Sequence, residues 1–140
     1  MTFEAQMRVG SVEIAAALFA VAIFAARPRV RVAADVGRLQ PMRVALDVLE
    51  RGARRSYEGR PPFEVGRASG NDLVLADPEV SRSHARFDAR NGVVYVGDLR
   101  SSNGTYLNGR RVSEAIEIRA GDRIDVGTTR LVVRECAPWT

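Results

Sequence analysis

Between Gly66 and Gly109 the chain reads GRASGNDLVLADPEVSRSHARFDARNGVVYVGDLRSSNGTYLNG. That run carries Arg67, then the pair Ser81 and Arg82, then Ser102 and Asn103, each beside a stretch that alternates like a strand. A guanidinium is always charged and forks onto two oxygens, while hydroxyl and carboxamide groups add short, directional donors. Together they suit the grip of a phosphate, which on a side chain brings about −1.5 to −2 charges and three acceptor oxygens. The same set offers little with which to cut one. His84, the only histidine, lies three residues after Ser81 and can be read as a base for Ser81 or Ser83, or as a framework residue. Against the base reading, the chain has no G-x-S-x-G elbow, and a small sandwich encloses little volume for a substrate.

Such side chains need loops, and the loops need strands to hold them. Beyond Pro41 the sequence breaks into short apolar runs separated by turn residues. Arg43–Leu49 alternates, and after a polar break over 50–54 a further strand can begin. Strands are also predicted at Phe63–Gly66, Leu73–Leu75, His84–Asp88, Val93–Asp98, Thr105–Leu107, Ile116–Ile118, Arg123–Val126 and Thr129–Arg134. Their spacing is that of an all-β sandwich. Asn91-Gly92 and Asn108-Gly109 each separate two such runs, and both dipeptides suit the type I′ hairpin, whose two central residues have positive φ. Asn71, in SGNDLVL, is expected to brace a turn or loop with its side chain.

The GR, SRxH and SSNGTxxNG blocks, in this order and at this spacing, resemble the forkhead-associated (FHA) domain over about Pro41 to Cys136. The resemblance implies an FHA-type β-sandwich of mostly antiparallel strands that reads phosphothreonine in partner proteins, with no catalysis, cofactor or metal. In the family's pattern Arg67, Ser81 and Arg82 hold the phosphate. Asn103 fixes the ligand's main chain with both faces of its amide, and Ser102 lines the same groove. Gly66 lets the strand end turn, His84 braces the loop bearing Ser81, and Gly104, Asn108 and Gly109 support the backbone, the two glycines where a side chain would clash. Threonine is preferred over serine because its methyl fills a small apolar pocket. Glu79 is acidic, whereas Arg100 and the pair Arg110 and Arg111 are basic. The loop around Glu79 is therefore expected to disfavour an acidic ligand side chain, and Arg100 to attract one.

At 140 residues the chain has room for one ordinary domain and an appendage. Its net charge of +4 rests on 21 basic residues, all of them Arg, a bias that says little about partners. The arginines are scattered and not interleaved with aromatics, so no nucleic-acid partner is expected. The single Cys136 excludes an internal disulfide and a cysteine cluster for zinc. Residues 9–26, VGSVEIAAALFAVAIFAA, carry one charge, Glu13, and are apolar on all sides of a helical wheel. A helix of that length rises roughly 27 Å, enough to span a bilayer with snorkelling flanks. Arg27, Arg29 and Arg31 follow it, which places the C-terminal side in the cytoplasm. A cleaved or peripheral segment is the other reading of these residues, and the cytoplasm is the alternative location.

The expected organisation is thus a hydrophobic segment at 1–27, a single transmembrane helix, then a juxtamembrane linker at 28–41, an FHA domain at 42–136 and a tail at 137–140. The expected function is phosphothreonine-dependent protein binding at the inner membrane, recruiting Thr-phosphorylated partners in Ser/Thr kinase signalling. The alternative is a scaffold of the same fold that binds protein independently of phosphate. Threonines here are few, at 2, 105, 128, 129 and 140, so the ligand is expected on another protein, either the kinase or its substrate. Sequence leaves the oligomeric state open.

Overall fold

The structure, a computed structural model, describes residues 41–139. The apolar helix expected at 9–26, and the linker as far as Gln40, lie outside them. Among the described residues no helix is long and apolar enough to cross a membrane.

Eleven strands follow one another from Pro41: β1 (Met42–Glu50), β2 (Ala53–Gly59), β3 (Phe63–Gly66), β4 (Leu73–Val74), β5 (Ala85–Arg90), β6 (Val93–Asp98), β7 (Thr105–Leu107), β8 (Arg110–Arg111), β9 (Ile116–Ile118), β10 (Arg123–Val126) and β11 (Thr129–Pro138). They form a six-stranded sheet in the order β2-β1-β11-β10-β7-β8 and a five-stranded sheet in the order β4-β3-β5-β6-β9. Every pairing is antiparallel except β3 with β4. The expected all-β sandwich of mostly antiparallel strands is the one observed.

Strand periodicity builds the core. Successive side chains point to opposite faces, so Met42, Val44, Leu46 and Val48 of β1 meet Phe63, Val65, Phe87, Val94 and Val96 of the other sheet in one buried cluster. Phe63 and Phe87 stack at 4.6 Å between ring centroids. Asn91-Gly92 and Asn108-Gly109 take positive φ at both residues, as the type I′ hairpin demands, and Arg51-Gly52 closes the β1–β2 hairpin in the same way. β11 runs four residues past its predicted end at Arg134, because β1 pairs with it as far as Met42↔Pro138.

Two strands escape the apolar pattern. β2 (ARRSYEG) is exposed along most of its length and is a strand because its main chain pairs with β1. β8 has two exposed arginines, too few for any period, and pairs only with β7.

The two sheets are tied at one end by a buried carboxylate. Asp77, 1% exposed, lies between β4 and β5 and accepts bonds at Oδ2 from Thr128 N–H (2.8 Å), Thr128 Oγ1 (2.7 Å) and Thr129 Oγ1 (2.9 Å). Its Oδ1 accepts from Glu79 N–H at 2.9 Å. Burial alone would raise the Asp77 pKa, but the bonds from Thr128, Glu79 and Thr129 outweigh it and hold the carboxyl at about 2, below the ordinary 3.8.

An ionised Asp77 therefore stabilises the fold fully above about pH 4, and roughly 2 kcal/mol is expected to be lost as pH falls toward about 2. Urea denaturation across this range tests it. Asp77→Asn should be less stable at neutral pH by about that amount and show a shallower decline in acid. Parallel declines in the two proteins would refute the assignment.

Candidate functional site

Strand direction decides where the chemistry gathers. β3 ends at Gly66, β5 begins at Ala85, β6 ends at Asp98 and β7 begins at Thr105. The connections bearing Arg67, Ser81, Arg82, Ser102 and Asn103 consequently meet at one end of the sandwich.

Arg67 is the first residue after β3. Its N–H donates to Ser81 O (3.0 Å) and its Nε to Val80 O (3.2 Å), which anchors the root of the guanidinium and leaves the outer nitrogens exposed. Ala68 N–H donates to Arg82 O at 3.2 Å, and Asn71 Nδ2 donates both to Ala68 O (2.8 Å) and to Arg82 O (2.6 Å). Asn71 is thus the loop brace the sequence predicts. A Cβ on Gly66 would lie 2.2 Å from Arg82 O. The glycine is needed for this close passage of two main chains, not for the turn expected of it.

His84 is fully buried and joins two loops. Its Nδ1 accepts Ser81 N–H at 3.0 Å, and its Nε2 donates to Gly104 O at 2.9 Å. Both ring nitrogens are therefore committed to main chain, and neither is free to take a proton from a serine. Ser81 Oγ accepts Ser102 N–H at 2.9 Å, so its own hydroxyl hydrogen remains to donate outward. Asp98 holds the second loop by accepting from Ser101 N–H (3.1 Å), Ser101 Oγ (2.5 Å) and Thr105 Oγ1 (2.7 Å). Burial pushes the Asp98 pKa up, and the Ser101 and Thr105 bonds more than reverse it, leaving the carboxyl below its ordinary value.

A family model described as FHA domain matches residues 63–127. The chain is 40% identical over 76 residues to the FHA domain-containing protein FhaB of Mycolicibacterium smegmatis, covering 54% of this chain and 49% of that one. Among solved structures, the FhaA FHA domain, complexed with the intracellular domain of Rv3910, superposes with a TM-score of 0.59 at 32% identity, covering 65% of this chain and 99% of that one. The chain belongs to the FHA domain family. Mycobacterium tuberculosis EmbR, in complex with a low-affinity phosphopeptide, is similar to it at a TM-score of 0.60 and 27% identity, over 69% of this chain and 26% of that one. The chain spans about half the length of the curated FhaB relatives it matches.

In this FHA domain Arg67, Ser81, Arg82, Ser83, Arg100 and Ser102 line one open cleft of about 550 Å³. Three guanidinium groups and three hydroxyls face it, and no carboxylate is among its lining residues. Asn103 sits alongside with Nδ2 already donating to Glu79 O (2.8 Å) and Glu79 Oε2 (2.9 Å). Only the Oδ1 face of its amide is open to a ligand, where the sequence predicts two. Ser83 joins the cleft without having been assigned to it from sequence, and Arg100, expected from sequence to meet a ligand side chain, lines it too.

Asn108 and Gly109 do not support the cleft. They close a hairpin at the other end of β7, where Asn108 Oδ1 accepts from Arg123 N–H (2.9 Å) and Asn108 Nδ2 donates to Asp122 (3.1 Å). No atom would crowd a Cβ on Gly109; its positive φ of 85° is what requires glycine, not the expected clash. Arg110 and Arg111 line a separate hollow of about 620 Å³ that extends to Ile116 and includes Ser113 and the carboxylate residue Glu114.

His84→Ala is expected to lower the melting temperature markedly, since it opens a cavity and orphans Ser81 N–H and Gly104 O, a loss of about 3 kcal/mol. Thermal denaturation checks it. An unchanged melting temperature would mean that the imidazole does not brace the loops.

Proposed function

We propose that this FHA domain is a non-enzymatic receptor for phosphothreonine on another protein, tethered by residues 9–26 to the inner face of a bacterial membrane and acting in Ser/Thr kinase signalling. The observation that carries the reading is the cleft: three arginines without a lining carboxylate, beside outward-facing hydroxyls. Arg67 and Arg82 supply the charge that a phosphate dianion needs, and Ser81 donates its free hydroxyl hydrogen. Asn103 Oδ1 accepts an N–H from the ligand main chain, which orients an extended peptide across the rim. The phosphopeptide complex of EmbR supports this use of the fold, as does the FhaA complex with an intracellular domain.

Pro41 O accepts from Trp139 N–H (2.6 Å) at the start of β1, whereas the cleft opens where β3 and β6 end. Tethering raises the effective concentration of membrane-bound partners by confinement.

Arg67→Ala should weaken binding of a phosphothreonine peptide at least about thirty-fold, the consequence of losing roughly 2 kcal/mol or more from a charge-assisted contact. Calorimetric titration with phosphorylated and unphosphorylated peptide measures it. Binding that ignores phosphatase treatment would favour the phosphate-independent scaffold instead. For the tether, deletion of residues 1–27 should move the protein from the membrane to the soluble fraction on cell fractionation. Full-length protein already in the soluble fraction would remove the anchor.

A further inference from the structure

Arg100 is a cation placed at the cleft against its own backbone preference. Its φ of 54° lies in the left-handed region, which side chains other than Gly, Asn and Asp rarely enter because Cβ crowds the adjoining carbonyl. Strain of this kind persists where the surroundings impose it, and it concentrates at functional sites. Here the imposing group is Asp98, whose carboxylate takes Ser101 N–H and Ser101 Oγ and so tightens the 98–101 turn around Arg100.

The same bonds occupy Asp98, and Arg100 makes no hydrogen bond or ion pair with any described residue. Glu79 is the other acidic group near the rim, and its carboxylate is turned to Asn103 Nδ2. A phosphothreonine dianion matches the charge of Arg67 and Arg82, which leaves the Arg100 guanidinium as an exposed third cation in the cleft lining.

Resting on the phosphothreonine reading of this cleft, we propose that Arg100 is a specificity-determining residue, selecting ligands with a second anionic group near the phosphothreonine. The group is a carboxylate or a second phosphate, and the two share the chemistry that a guanidinium fork recognises. Glu79 reinforces the choice by repelling such a group from the Asn103 side.

The test is a titration series with the whole chain. One peptide carries a single phosphothreonine among neutral residues. A second set places Glu in turn at each of the three positions on either side of it, and a third set places phosphothreonine there. At the favoured position Glu should tighten binding about three- to five-fold, and the second phosphate about ten-fold or more. Arg100→Gly, which suits the left-handed backbone, should abolish both gains and keep or raise the melting temperature. Arg100→Lys should retain part of the gain.

Equal affinities across the series, or a preference that survives in Arg100→Gly, overturn the proposal while leaving the phosphothreonine reading in place. Failure of the neutral phosphopeptide to bind in any phosphate-dependent way overturns both. A gain with the second phosphate alone identifies doubly phosphorylated ligands as the source, and an equal gain with Glu identifies acidic sequences.

Discussion

A dianion is held well only by donors that are in place before it arrives, because ordering several long side chains at the moment of binding costs entropy for each. The loops of this protein meet that constraint through polar side chains bonded to main chain. Asn71 stitches two segments of the rim, His84 links the Ser81 loop to Gly104, Asp77 pins the approach to Ser81 against the β10–β11 turn, and Asp98 shapes the turn before Asn103. Each of these groups would be costly to bury unpaired, and each takes at least one partner in a loop. The buried polarity of the domain is thus concentrated where loops would otherwise drift.

The cleft itself is built in the opposite manner. Its arginines are exposed and have no carboxylate partner among the described residues, so their positive field is not locally neutralised. Elsewhere on the surface several arginines are matched: Arg43 with Glu58 and Glu135, Arg86 with Glu64 and Asp88, Arg130 with Asp125. The net charge of +4 therefore understates the electrostatic contrast between the rim and the outer sheet faces. Such a field speeds encounter with an anionic ligand and makes binding sensitive to salt.

Much of the sandwich was legible along the chain. Runs such as Val93–Asp98 and Arg123–Val126 alternate cleanly, and the two Asn-Gly pairs fall at hairpins, since turn chemistry and strand periodicity are local properties. β2 and β8 were harder to read because a strand can be made by its partner's main chain alone. The motif residues Arg67, Ser81, Arg82 and Ser102 line one cleft with Asn103 beside it, but Asn108 and Gly109, from the same motif, close a hairpin at the far end of β7. The role of Gly66 was not legible locally, because the carbonyl it must clear belongs to Arg82, far along the chain.

By itself the sequence determined which donors exist, where strands begin and which turns need glycine or asparagine, for these follow from side-chain chemistry and backbone sterics within a few residues. Only the tertiary structure decided that Asp77 would meet Thr128 and Thr129, that Glu79 would occupy one face of Asn103, and that Arg100 would line the cleft with no partner among the described residues. Those outcomes depend on residues brought together across two sheets, and strand order and direction, not spacing along the chain, set which loops share an end.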